Sequence, residues 1–143
     1  AQQPLEKQSR QYSLKRPPAR SGALTWHVHG LIYDLLTLKP VKNVRLTFHD
    51  KTNGKTVVAR TDAKGRYQAS LPVLTEGGYE IGVYHRLYPS DFLEEMVPAY
   101  RTQTRARRLK AADELTDSNI IHLPLQPEPG IQDVPYDLVL FAR

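Results

Sequence analysis

Thr61-Asp62-Ala63-Lys64-Gly65-Arg66-Tyr67 must reverse the chain, because the segments on either side of it both read as strands. Lys55 to Thr61 is rich in Thr and Val, and Arg66-Tyr67-Gln68-Ala69-Ser70-Leu71 alternates polar and apolar residues, the period of a strand with one face in a core. Asp62 and Gly65 supply the turn chemistry. A carboxylate accepts backbone N–H bonds across a bend, and a residue without Cβ tolerates φ > 0. Working outward, Val44-Arg45-Leu46-Thr47-Phe48-His49-Asp50 alternates strictly, with Val44, Leu46 and Phe48 on one face and Arg45, Thr47 and His49 on the other. Lys51-Thr52-Asn53-Gly54 closes a hairpin through its Asn-Gly pair, and Tyr79 to Tyr84 alternates again after Gly77-Gly78. Such alternation sends Val44, Leu46, Phe48, Tyr67, Ile81 and Val83 between two sheets.

Leu24 to Tyr33 reads as a first strand, and Asp34 to Asn43, with Pro40, as a loop. In the second half, Ser90-Asp91-Phe92-Leu93-Glu94 carries a helix-capping pattern, so a short helix is expected there, ending near Pro98. Arg101 to Leu115 contains no Gly or Pro and spaces Ala106, Leu109, Ala112 and Leu115 by three, which predicts a helix lying on the sandwich. Ile120 to Leu125 and Tyr136 to Phe141 read as two late strands, with Pro124 placing the first at an edge. The sum predicts an all-β fold. It is expected as a seven-stranded antiparallel, Ig-like β-sandwich over residues 23–143, with a helical insertion at about 90–116 and an extended basic arm over 1–22.

Composition sets the outer limits. The 143 residues, 40% of them hydrophobic, suffice for one core, and no apolar run reaches the roughly 20 residues a membrane helix needs. The chain has no cysteine, which excludes disulfides and thiolate chemistry. A formal charge of +5 admits nucleic acid, anionic lipid or glycan, or an acidic protein as partner, although moderate net charge ordinarily serves solubility. The arm holds Pro4, Pro17, Pro18, Lys7, Arg10, Lys15, Arg16 and Arg20 against Glu6. With little to bury, it is expected to act as a linker or to add a strand to a partner's sheet. It has no signal-peptide pattern, and the start Ala1-Gln2-Gln3 is compatible with a mature end left after signal cleavage.

The run Gly30-x-x-Tyr33-Asp34, Lys39-Pro40-Val41-x-Asn43-Val44-x-Leu46, then Thr61-Asp62-x-x-Gly65-x-Tyr67 resembles the carboxypeptidase regulatory-like domains of the transthyretin-type sandwich class. Those domains read G-x-V-x-D, then G-x-P-L-x-G-V-x-V, then T-D-x-x-G-x-Y. The likeness spans roughly Thr25 to Tyr84, and Leu38 and Asn43 stand where the family has glycines. What it implies is an accessory module without catalysis, of a kind common in exported and cell-surface proteins.

The alternative readings each rest on fewer residues. The chain is also similar to 5-hydroxyisourate hydrolase, whose opening strand reads H-V-L-D. Aligning Asp34 and Pro40 puts Leu31 at that family's first histidine. His122-Leu123-Pro124-Leu125 looks like the late H-V-P-L, but Tyr136 to Arg143 lacks the closing Y-R-G-S, so the acid/base roles have no owners. His27 and His29 share a strand face and could hold a metal if His49, His85 or His122 completed the shell. The R-P-x-H-I-H run of intradiol dioxygenases is missing, and no serine sits in a nucleophile elbow. A glycan- or peptidoglycan-binding module is the third reading, to be marked by a row of exposed aromatics.

The outstanding charge constellation is Arg101, Arg105, Arg107, Arg108 and Lys110. On a helix, Arg101, Arg105 and Arg108 would share one face, and guanidinium forks bind oxyanions bidentately. Nucleic acid is disfavoured because no aromatics interleave with the arginines. These five residues, with Lys15 and Arg16 of the arm, are the expected partner-binding surface. No catalytic residue, metal ligand or cofactor is expected. The reading as a whole is a non-enzymatic module outside the cytoplasm (periplasmic, secreted or cell-surface) that mediates protein–protein contact within a larger envelope or surface assembly.

Overall fold

The computed structural model describes residues 25–73, 77–117, 120–126 and 130–142, and they are mostly β, in two sheets. β1 (Thr25–Asp34), β4 (Arg66–Pro72), β6 (Leu93–Glu94), β7 (Asp133–Pro135) and β8 (Leu138–Leu140) form one sheet. Its order is β4-β1-β8-β6, with β7 beside β1 just ahead of β8. β2 (Arg45–Asp50), β3 (Thr56–Arg60) and β5 (Tyr79–Tyr84) form the other, in the order β3-β2-β5. The period-2 residues set which faces meet. Val28, Leu46, Phe48, Tyr67, Leu71 and Val83 are buried in one cluster between the sheets, with Ile81 packed at its margin.

The reversing turn is built from its own sequence. Asp62 Oδ1 accepts the N–H groups of Lys64 at 2.9 Å and Arg66 at 3.0 Å, and these bonds, Arg66 first, hold the carboxyl below its ordinary value. Gly65 adopts φ +74°. A Cβ there would lie 2.6 Å from the Ile32 carbonyl oxygen and 2.8 Å from Pro40 Cβ, so the turn seats directly on the end of β1. The loop after β1 adds a second departure from ordinary backbone. Leu38 and Asn43, the two residues standing at the resemblance's glycine positions, take φ +64° and +61°, the left-handed region glycine occupies at least cost.

Four expectations are corrected. Among the described residues there are eight strands and the larger sheet is mixed, because β7 and β8 run parallel to β1. Parallel neighbours cannot be joined by a tight hairpin, and here the chain from β1 to β7 passes through all the intervening elements. The capping pattern at Ser90–Glu94 forms no helix: Phe92 is buried in the core and Leu93–Glu94 pairs with β8. Burial of an aromatic ring outweighs a local capping signal. Ile120 to Leu125 forms no strand and is tied to β5 by reciprocal Tyr79–Leu125 bonds of 2.9 and 2.8 Å. The expected strand at Tyr136–Phe141 is broken at Tyr136-Asp137. There Asp137 Oδ1 takes the Leu31 N–H at 2.8 Å, and Gly30 approaches so closely that a Cβ would lie 2.1 Å from the Tyr136 carbonyl oxygen.

Helix α1 (Arg105–Asp117) follows Thr104, whose Oγ1 accepts the Arg107 N–H at 3.2 Å. A second buried cluster of Tyr33, Leu35, Tyr100, Ala112 and Val139 joins it to the larger sheet. That sheet is therefore covered on both faces where β1 meets β8, which is why Leu31-Ile32-Tyr33 and Leu138-Val139-Leu140 are apolar runs instead of alternating ones. No helix among the described residues is long and apolar enough to cross a membrane.

Tyrosines tie these layers together. Tyr33 donates to Glu95 Oε2 at 2.6 Å and Tyr88 to Asp34 Oδ2 at 2.8 Å. Tyr67 donates to the Tyr136 carbonyl and Tyr136 to Glu94. Burial first, with adjacent carboxylates second, raises all four phenols above their ordinary 10.0. The folded state thus holds these protons more tightly than the unfolded one. Their stabilising effect is complete below pH 10 and is lost as pH rises toward the folded values. A falling urea midpoint above pH 10, together with late phenolate absorbance at 295 nm, is the expected result. A midpoint flat to pH 12 would contradict the buried phenols.

Candidate functional site

The structure divides the expected cationic stripe. Arg101 precedes the helix, in the 3-10 turn Tyr100–Thr102. Its guanidinium lies 5.8 Å from the Tyr33 ring centroid. Arg108 is half-buried and faces inward, on the same side of α1 as Ala112 and Leu115. Its Nη1 donates to the carbonyls of Leu35 at 3.0 Å and Leu36 at 2.6 Å. It caps backbone acceptors at the end of β1, which gives it a structural role. Arg105, Arg107 and Lys110 are exposed. Lys15, Arg16 and the rest of the 1–22 arm lie outside the described residues.

The histidines are divided between separate places. His27 and His29 stand side by side on β1 with ring centroids 5.9 Å apart, and His29 Nε2 is 3.2 Å from Asp133. His49 Nδ1 bonds Thr56 Oγ1 at 2.8 Å and His85 Nε2 reaches the Lys42 carbonyl at 3.1 Å. The His122 ring stacks on Phe92 at 3.8 Å. His49 and His122 line a groove on the outer face of the smaller sheet, whereas His27 and His29 belong to the larger one. Among the described residues no group of three or more His, Asp or Glu is placed to hold a metal ion.

The most unusual surface is that outer face. The polar alternation of the three strands builds three rows: Arg60, Arg45 and Tyr84; Val58, Thr47 and Gly82; Thr56, His49 and Glu80. Arg45 and Arg60 stand directly opposite each other, an arrangement that is destabilising for like charges. The Arg45 guanidinium rests 4.8 Å from the Tyr84 ring centroid. The two arginines rim a groove of about 790 Å³ that Lys39, Lys42, His85 and Arg86 also line. Among the described residues no carboxylate pairs with Lys39, Lys42, Arg45, Arg60 or Arg86. The groove's own acid, Asp34, is already engaged, accepting from Leu36 N, Thr37 N and the Tyr88 hydroxyl.

β3 adds a second feature, an open edge. Asp50 N bonds Lys55 O and Thr61 N bonds Val44 O, so with the register of β2 and β3 the odd-numbered residues of β3 face β2. The N–H and C=O groups of Thr56, Val58 and Arg60 therefore point away from the sheet. Among the described residues nothing pairs with them. Their side chains are exposed, Val58 to 52%. Sequence reasoning placed Arg45 on an outward face but did not find Arg60 opposite it. The signal was the register through Asn53-Gly54, which a four-residue connection left open.

Comparison with known proteins places the chain by fold only. No protein-family model and no curated sequence matches it. A solved structure, that of the Bacillus anthracis TIE protein, is similar over 92% of this chain and 20% of that chain, with a TM-score of 0.50 and 11% sequence identity. The present chain thus corresponds to about a fifth of that longer one. The likeness shows a shared β-rich fold.

Proposed function

We propose that this chain is a non-enzymatic, transthyretin-type β-sandwich module of the carboxypeptidase regulatory-like kind, and that it works outside the cytoplasm by binding another protein. The family reading is supported by the turn at Asp62–Gly65 and by the left-handed backbone of Leu38 and Asn43, where that family carries glycines. In the similar solved structure a unit of this fold accounts for a fifth of a longer chain, which fits an accessory module. The observation that carries the binding reading is the open edge of β3. Three successive outward residues there offer unused main-chain donors and acceptors beside an exposed Val58, the template used when an extended partner segment adds a strand.

Val58→Pro tests this reading. Proline removes the central one of the three outward N–H groups and blocks strand addition, while the ladder to β2, which uses Val57 and Ala59, stays intact. The expected result is a melting temperature within a few degrees of wild type, with loss of a partner that wild type captures from native extract, identified by mass spectrometry. Retention of that partner by Val58→Pro would move the contact away from this edge.

A further inference from the structure

We infer that the occupant of the β3 edge is an acidic extended peptide, with a carboxylate held between Arg60 and Arg45; this rests on the edge-binding reading above. Two independent observations converge. The first is electrostatic: two arginines face each other across β2 and β3 at the rim of a groove whose other cations also lack acidic partners among the described residues. A like-charge cross-strand pair lowers stability unless an anion joins it, and a guanidinium pre-set against an aromatic ring, as Arg45 is against Tyr84, offers a fixed fork to that anion. The second is the edge itself. Its alternating N–H and C=O groups match a peptide backbone, which neither a polysaccharide nor a phosphate polymer provides. The chain's own N-terminal arm has the wrong sign, with Lys7, Arg10, Lys15, Arg16 and Arg20 against Glu6.

The register then specifies a pattern. Thr56, Val58 and Arg60 would each form a hydrogen-bonded pair with the residue opposite, and paired residues project from the same face. In an antiparallel addition, the residue facing Arg60 comes first and is acidic. The residue two further on faces Val58 and is apolar, and the one after another two faces Thr56. Glu-x-Val-x-Thr is such a segment. Its glutamate falls beside Arg60 and within reach of Arg45, where two charge-assisted bonds form.

The probe is the capped hexapeptide acetyl-Thr-Glu-Thr-Val-Thr-Thr-amide, titrated into the full chain by calorimetry, with backbone amide shifts followed by NMR. The expected result is binding that shifts the amides of Thr56, Val58 and Arg60. Replacing the peptide's Glu by Gln, or Arg60 by Gln in the protein, should weaken binding at least about tenfold, as loss of a charge-assisted bond does, and the difference should shrink at high salt. The peptide change leaves the protein untouched, so a folding defect cannot mimic it. Gln and Glu peptides that bind alike, and are both lost with Val58→Pro, would overturn the acidic preference and leave the edge reading standing. Glu-peptide binding that survives Val58→Pro would overturn both. Polygalacturonate that binds as well as the peptide, unaffected by Val58→Pro, would assign the arginine pair to an anionic glycan, and no peptide binding at millimolar concentration would also overturn the inference.

Discussion

Phe48→Ala should lower stability by about 3–5 kcal/mol, the usual cost of emptying an aromatic site in a closed core. The ring has no exposed surface. Phe48 sits at the centre of the smaller sheet, flanked by Val57 on β3 and Ile81 on β5, with the Tyr67 ring of the opposing sheet at a centroid distance of 6.4 Å. Its neighbours belong to strands fixed by main-chain bonds, so they cannot collapse into the void. Domains of this size carry a total stability of only about 5–15 kcal/mol, so the loss should appear as a urea midpoint displaced strongly at unchanged slope. A change below about 1 kcal/mol would mean that the ring does not fill the space between the sheets.

Arg108→Glu is expected to lower stability by about 2–4 kcal/mol. The substitution removes two donors from the Leu35 and Leu36 carbonyls and points a carboxylate at acceptors that repel it. Those carbonyls lie where β1 leaves the sheet and α1 docks, beside the buried Leu35 and Ala112, so the helix should loosen first. Arg105→Glu, on an exposed position of the same helix, should change stability by no more than about 0.5 kcal/mol. From spacing alone the two arginines are equivalent, since both fall on the face expected to be cationic. Equal melting curves for the two variants would return Arg108 to the surface.

The difference between those arginines shows where the sequence stops being informative. Helical spacing says which residues share a face, but not which face the sheet will cover. That was decided by Ala112 docking beside Tyr33 and Val139, with Leu115 buried on the same side, which turned Arg108 inward and left Arg105, Arg107 and Lys110 in solvent. The same holds at Ser90–Glu94. Its capping pattern is a local preference of about a kilocalorie, and burying Phe92 outweighs that.

By itself the sequence determined the elements whose signals are short-ranged: the Asp62–Gly65 turn, the alternating faces of β2, β4 and β5, the helix after Thr104, and the inward direction of Val44, Leu46, Phe48, Tyr67 and Val83. Each depends on residues within one turn or one strand. Only the tertiary structure decided the direction of β7 and β8, the inward role of Arg108, the separation of the histidines, and the Arg45–Arg60 pair beside the open edge of β3. Those features depend on register and on which surfaces meet. Both are set by packing free energy summed over contacts distant in the sequence, and no local pattern of residues encodes that sum.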